Sequence, residues 1–83
     1  MTLKIYSVYD NKTGIYARPF FARSDAEAER AFQYNGSTDS FMRSNAVDYD
    51  LVYLGEFDDQ TAIITPAKGS LVGLSALVTA EKE

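Results

Sequence analysis

Aromatic and basic side chains alternate near the N-terminus in a pattern that could bind single-stranded nucleic acid. Bases stack on aromatic rings while cations neutralise the phosphates, and each stacked base contributes about 1–3 kcal/mol. Residues of one parity share one face of a strand. We therefore predict a nucleic-acid-binding surface formed by six residues of the first hairpin and its end: Lys4, Tyr6, Tyr16, Arg18, Phe20 and Arg23.

The same rings also have a structural interpretation, in which they pack the sheet onto a helix or onto a second copy of the chain. Lys4 and Arg18 favour the surface interpretation, because core faces rarely keep charged side chains. Val8 has the same parity as Lys4 and favours the core. The formal net charge of -4, from 12 acidic and 8 basic side chains, argues against a protein that neutralises many phosphates at once.

A second set of residues is acidic, and its carboxylates could in principle hold magnesium or calcium. The turn at residues 58–61 lacks the ligand spacing and the glycine of a calcium-binding loop. In an acidic protein, such residues are expected on solvated turns and on edge strands that charge protects. We therefore expect neither a metal ion nor a cofactor at the acidic positions, which are Asp48, Asp50, Glu56, Asp58 and Asp59.

Catalysis lacks its usual groups, because the chain contains neither histidine nor cysteine. A serine nucleophile has no histidine to serve as its base, and a Ser–Lys arrangement is possible in principle but no motif supports it. Zinc of the usual kind would lack ligands. The glycines at 69 and 73 do not form a phosphate-binding loop, since no lysine follows them at the required spacing. We expect the protein not to be an enzyme.

Two hairpins are predicted to carry these residues. Residues 3–10 alternate in hydrophobicity, a turn follows, and residues 15–22 continue as the second strand. Residues 49–57 and 62–65 form the second hairpin, which we expect residues 66–69 to end, because this stretch contains both a proline and a glycine.

One helix is predicted between the hairpins. Ser24 and Glu27 form a capping box, in which the Ser24 hydroxyl accepts from the Glu27 N–H and the Glu27 carboxylate accepts from the Ser24 N–H. The helix runs to about Tyr34, and Gly36 is expected to end it in a left-handed conformation. Residues 37–45 read as irregular, with room for one short turn anchored by a Phe–Met pair.

The predicted fold is one α+β domain in the order ββαββ, with a small antiparallel sheet, one helix packed on one face and a C-terminal strand-like arm. Its core comprises residues 3–66. The tail, residues 67–83, fits a helix by its apolar spacing and fits a strand by its alternation. We favour the strand because Gly73 interrupts a helix badly. The apolar tail could complete the sheet of its own subunit or pair two copies of the chain. Because small domains often gain stability by oligomerising, we expect a homodimer.

Three blocks of sequence carry a resemblance to a known family: IYSVYD at residues 5–10, RPFFARSDAEA at residues 18–28 and YLGEFDD at residues 53–59. In this order and spacing they resemble the small nonstructural protein of gokushoviruses, which are single-stranded DNA phages of the Microviridae. The resemblance covers residues 3 to about 66. It supplies no residue-level site.

The resemblance implies a nonstructural phage protein that binds single-stranded DNA during genome synthesis or packaging in the host bacterial cytoplasm. An alternative remains open, in which an acidic interaction factor binds a phage or host protein without contacting DNA. No apolar run approaches the roughly 20 residues that span a bilayer, and the N-terminus does not resemble a signal peptide. We therefore expect no membrane partner.

Overall fold

The computed structural model describes residues 1–78 of the chain. It shows an α+β fold with one antiparallel sheet, which confirms the predicted class. The tail beyond residue 78 lies outside the described residues. In chain order, the elements are β1 (Thr2–Asp10), β2 (Ile15–Tyr16), β3 (Phe20–Ala22), α1 (Asp25–Thr38), α2 (Ser40–Ser44), a 3-10 helix (Ala46–Asp48), β4 (Tyr49–Asp58), β5 (Ile64–Gly73) and α3 (Leu74–Val78).

The sheet is built around β1, which pairs with β4 on one side and with both β2 and β3 on the other. β5 pairs with β4 and forms the opposite edge. The first hairpin is therefore present as predicted, but its second strand is interrupted at residues 17–19. There the Ala17 N–H still donates to the Val8 carbonyl, and the Ser7 hydroxyl donates to the Ala17 carbonyl at 2.7 Å.

The main hydrophobic cluster lies on one face of the sheet, between the strands and all of the described helices, and a few further strand residues are buried on the opposite face. Tyr6 and Leu51 supply the sheet side, and Phe32 of α1 and Leu74 of α3 pack against them. Met42 of α2 packs at the margin of this cluster. We call this face the helix side, and the opposite face of the sheet the open face.

The start of α1 matches the predicted cap in part. The Glu27 N–H donates to the Ser24 hydroxyl at 3.2 Å. The Glu27 carboxylate accepts from the Arg23 N–H at 2.7 Å, one residue before the predicted donor, and a guanidinium nitrogen of Arg23 lies 3.1 Å away. These hydrogen bonds with Arg23 hold the pKa of Glu27 below its usual value, so the helix start keeps a carboxylate at the positive end of the helix dipole.

The prediction that Gly36 ends the helix is wrong, because α1 continues to Thr38. Gly36 is buried inside the helix, where a Cβ would lie 2.4 Å from Cδ1 of Leu74. The glycine is needed for this close approach of α3 and not for a left-handed turn. Asp39 ends α1, and its side chain accepts from the N–H groups of Phe41 and Met42 at the start of α2.

The prediction that residues 66–69 end the second hairpin is also wrong. β5 continues through Pro66 and Lys68 to Gly73. Irregularities in the β4–β5 register allow the strand to include Pro66 and Gly69. Leu74 is fully buried in the core of its own chain. The core therefore extends past residue 66, and the C-terminal segment is strand up to Gly73 and helix from Leu74.

Both edges of the sheet are irregular. β5 carries Pro66, Lys68 and two register shifts, and the opposite edge consists of the two short strands β2 and β3. Gly55 lies at one of the shifts with φ +146°. None of the helices in residues 1–78 is both long and apolar enough to cross a membrane.

Candidate functional site

The register of the first hairpin separates the predicted binding residues. Tyr16 lies opposite Tyr9, whereas Phe20 lies opposite Tyr6. The chain between Tyr16 and Phe20 is one residue longer than the chain between Tyr6 and Tyr9. Because side chains alternate with a period of two, one extra residue moves the following side chains to the other face. The prediction that Tyr16 and Phe20 share a face is therefore wrong.

Tyr6 belongs to the core. Its side chain is fully buried, its hydroxyl donates to Asp25 at 2.6 Å, and its ring stacks on Phe20 with centroids 5.8 Å apart. Burial and the bond to Asp25 raise the pKa of the Tyr6 hydroxyl far above its usual value, which keeps it protonated as a donor. A buried ring cannot stack a base, so the predicted role of Tyr6 is wrong, and Phe20 is half-buried beside it.

Lys4 and Arg23 are placed beside carboxylates of the helix start. Lys4 Nζ lies 3.9 Å from Asp25 and 5.8 Å from the centre of the Tyr53 ring, and Arg23 pairs with Glu27. Exposed pairs of this kind contribute little to stability, but they do neutralise the cations locally. These two side chains are therefore less available to bind phosphate than the sequence pattern predicts.

Tyr16 and Arg18 remain exposed. Tyr16 lies on the open face, where its ring centroid is 4.5 Å from that of Tyr9 and 5.2 Å from Lys68 Nζ. The interaction with the Tyr16 hydroxyl raises the pKa of Lys68. We call Tyr9, Tyr16 and Lys68 the tyrosine–lysine cluster. Sequence reasoning missed Lys68, because it comes from the far edge strand and no local pattern links it to Tyr16.

A groove of about 1010 Å³ lies on the helix side, between the first hairpin and helices α1 and α2. Ile15 and Phe41 project at its margins with about two thirds of their surface exposed, at 65% and 66%. Arg18 is its basic residue, and no salt bridge joins Arg18 to any residue within 1–78. The larger apolar side chains that line this helix-side groove are Val8, Ile15, Phe20, Phe32, Phe41 and Met42.

One end of the helix-side groove is acidic. Asp10, Asp39 and Tyr49 line it, and Asp48 lies close by. Burial, and then the carboxylates of Asp10, Asp39 and Asp48, raise the pKa of the Tyr49 hydroxyl. Three carboxylates that act on one phenol produce a local negative potential, so this end favours cations.

The acidic positions of β4 and the following turn have structural partners. Asp50 accepts from the Asn11 side chain at 2.8 Å, Asp58 accepts from the Gln60 N–H at 2.9 Å, and Asp59 pairs with the N-terminal ammonium at 2.9 Å. The bond from Gln60 lowers the pKa of Asp58. Within the described part of the chain, no three acidic residues are placed to hold a metal ion together.

Comparison with known proteins gives one match. A family model described as phage ORF5 protein matches residues 3–78 and so covers nearly the whole chain, including the segment after Pro66 that the sequence resemblance did not reach. No curated protein and no solved structure matches the chain significantly. The narrower placement among gokushoviruses stays a prediction.

Proposed function

The chain belongs to the phage ORF5 protein family, and from this premise we propose that it is a nonstructural phage protein whose helix-side groove binds a segment of another protein. The observation that carries the proposal is the groove itself, with its apolar walls and the exposed side chains of Ile15 and Phe41. Exposed aromatic and aliphatic anchors beside a concave surface are typical of sites for amphipathic peptides. The proposal places the protein in the host bacterial cytoplasm and assigns it no catalytic step.

The charge of the groove indicates which kind of partner segment it would bind. Asp10, Asp39 and Asp48 make one end of the groove negative, and the whole chain carries a net charge of -4. A segment with apolar side chains along one side and basic side chains at one end would complement both features. This is the interaction-factor alternative from the sequence, now with a surface to test.

We expect an amphipathic peptide of leucine and lysine to bind the protein and a leucine–glutamate peptide of equal length not to bind. Replacing Phe41 by serine should weaken binding about tenfold or more, because it removes an aromatic anchor. Fluorescence anisotropy of the labelled peptides measures both effects. Phe41 is exposed, so the substitution should leave the fold intact.

Tyr34→Ser is the matched control, since Tyr34 is 67% exposed on α1 and does not line the groove. It should bind the lysine peptide as the unmodified protein does. If both peptides bind equally, or if the two serine variants lose affinity equally, the groove is not the binding site.

A second candidate function is the binding of single-stranded DNA, for which the tyrosine–lysine cluster and the exposed Arg18 are the supporting observation. Tyr16 offers a ring for stacking with the cation of Lys68 beside it, and Arg18 is a second exposed cation, which lines the helix-side groove. This surface has fewer residues than the six predicted from the sequence, and the net negative charge of the protein repels DNA. We therefore expect weak binding, at low salt only.

For this candidate, labelled oligo-dT should bind at low salt with an affinity that falls steeply as salt increases. Arg18→Gln should reduce the slope of log affinity against log salt by about one if Arg18 holds a phosphate. Arg30→Gln, an exposed arginine on α1, should leave the slope unchanged. Absence of oligo-dT binding at low salt would remove DNA binding from consideration and leave the groove proposal standing.

A further inference from the structure

The helix-side groove carries opposite charges at two places along its length. Its acidic end lies where β1 meets β4, because Asp10 and Tyr49 are register partners there and both line the groove. Asp39, the N-cap of α2, lines the same end. Arg18 lines the groove further along the first hairpin and is exposed. A partner in this groove therefore meets carboxylates at one end and a guanidinium at some distance from them.

The strand register sets this distance. The Ala17 N–H donates to the Val8 carbonyl at 2.8 Å. The next residue, Arg18, therefore lies about level with Ser7, three residues before Asp10 in β1. A strand rises about 3.3 Å per residue, so the acidic end and Arg18 are about 10 Å apart along the hairpin.

A separation of about 10 Å suits a helical partner better than an extended one. A helix rises about 1.5 Å per residue, so about seven residues span this distance, and residues i and i+7 lie on one face of the helix. In a strand about three residues span it, and residues i and i+3 point to opposite faces. At this spacing a helix presents two charged side chains to the groove, whereas a strand presents one.

The carboxylates at the acidic end can accept further hydrogen bonds. Asp10 accepts from the N–H groups of Lys12 and Thr13 at 2.9 and 3.4 Å, and Asp39 accepts from two N–H groups of α2 at 3.0 and 3.2 Å. All four bonds use the Oδ1 atom of the carboxylate. Because an ionised carboxylate accepts at both oxygens, the Oδ2 atoms can bind a basic side chain of a partner.

Arg18 requires a partner of the opposite charge. No salt bridge joins it to any residue within the described range 1–78. A carboxylate complements a single guanidinium and can bind it through two hydrogen bonds. A nucleic-acid strand fits this groove less well, because it carries a phosphate at every nucleotide. A strand that followed the groove from Arg18 would bring phosphates towards Asp10 and Asp39.

We propose that the partner segment is a helix with a basic residue at position i and an acidic residue at position i+7, and that Arg18 binds the acidic side chain. The inference rests on the proposed function of the groove and adds the group that Arg18 recognises. The basic residue contacts Asp10 and Asp39, so the N-terminus of the helix, which is the positive end of its dipole, lies at the acidic end. Apolar residues at i+3 and i+4 share this face and contact the apolar walls.

Two helical peptides of identical composition test the proposal. Both have lysine at i and leucine at i+3 and i+4; one has glutamate at i+7, and the other has it at i+9, on the opposite face. Arg18→Gln should weaken binding of the i+7 peptide about threefold, which is the loss expected for one partly exposed ion pair. It should leave binding of the i+9 peptide unchanged. Fluorescence anisotropy measures the four affinities.

Arg30→Gln is the matched control, because Arg30 is an exposed arginine on α1 that does not line the groove. It should leave the affinities for both peptides unchanged. Replacing the glutamate of the i+7 peptide by glutamine should remove the effect of Arg18→Gln, since the two groups then no longer interact.

The outcomes separate this proposal from the function on which it rests. If Phe41→Ser weakens binding of both peptides and Arg18→Gln affects them equally, the groove binds a helix but Arg18 does not recognise a carboxylate, and the proposal is overturned. If Phe41→Ser weakens neither, the groove is not the binding site and both proposals fall. If Arg18→Gln weakens binding of oligo-dT and of neither peptide, Arg18 binds phosphate, which also overturns the proposal.

Discussion

Replacing Gly55 with alanine should lower the free energy of unfolding by about 3 kcal/mol or more, because strained backbone at such a position costs roughly 1–3 kcal/mol and a steric clash adds to it. Gly55 has φ +146°, which side-chain-bearing residues rarely adopt. A Cβ there would lie 2.3 Å from the Thr65 carbonyl oxygen. That atom belongs to the backbone of β5, so the clash can be relieved only by moving the strand.

For a chain of this length, total stability is about 4–12 kcal/mol, so the loss at Gly55 should be a large fraction of it. The melting temperature should fall by roughly 12–24 °C, since 1 kcal/mol corresponds to about 4–8 °C in a domain of this size. Thermal unfolding followed by circular dichroism measures the change. Gly69→Ala is the matched control, because a Cβ at Gly69 in β5 meets nothing within 4 Å. Equal melting temperatures for the two variants would contradict the clash.

Leu74→Ala should lower the free energy of unfolding by about 2–5 kcal/mol, the usual range for truncating a buried leucine. Leu74 is fully buried and rests directly on Gly36 of α1. Gly36→Ala should also destabilise the fold, because overpacking costs about 1–3 kcal/mol and exceeds the gain in helix propensity of at most about 1 kcal/mol. Urea unfolding of the single variants measures both losses.

The sign of the Gly36→Ala effect should reverse when Leu74 is already alanine. The space that Leu74 vacates would then accept the new methyl group, and only the gain in helix propensity would remain. The double variant should therefore be more stable than Leu74→Ala alone. If Gly36→Ala costs the same in both backgrounds, the contact between Gly36 and Leu74 does not explain why a glycine occupies that position.

The elements of the fold were readable from local patterns. Alternation located β1 and β4, the Ser24 cap located the start of α1, and the α+β class with a small antiparallel sheet is confirmed. The predicted order ββαββ differs in detail, because its second strand is split into β2 and β3 and three further helical segments accompany α1. Two errors concern Gly36 and Pro66, which locally look like ends of elements. Gly36 continues a helix because Leu74 requires the space, and Pro66 continues a strand because the β4–β5 register shifts around it. Both reasons involve residues far away in the sequence.

The candidate site was less predictable than the fold. The alternation of Tyr16, Arg18 and Phe20 is real in the sequence, but the extra residue in the interrupted strand turns Phe20 towards the core. Parity can be counted only within an unbroken strand. Tertiary packing places Lys68 beside Tyr16 and Phe41 at the margin of the groove. Neither position can be predicted from spacing along the chain. Arg18 and Tyr16 remain exposed, as the surface interpretation requires.

The irregular edges of the sheet have a consequence for how the protein tolerates its own accumulation. A long, regular edge strand lets copies add one after another and grow into fibres. Neither edge of this sheet offers such a strand. One edge is β5, which is interrupted by Pro66, Lys68 and its register shifts, and the other consists of β2 and β3, which are too short. We therefore expect the chain to resist edge-to-edge aggregation when its concentration is high.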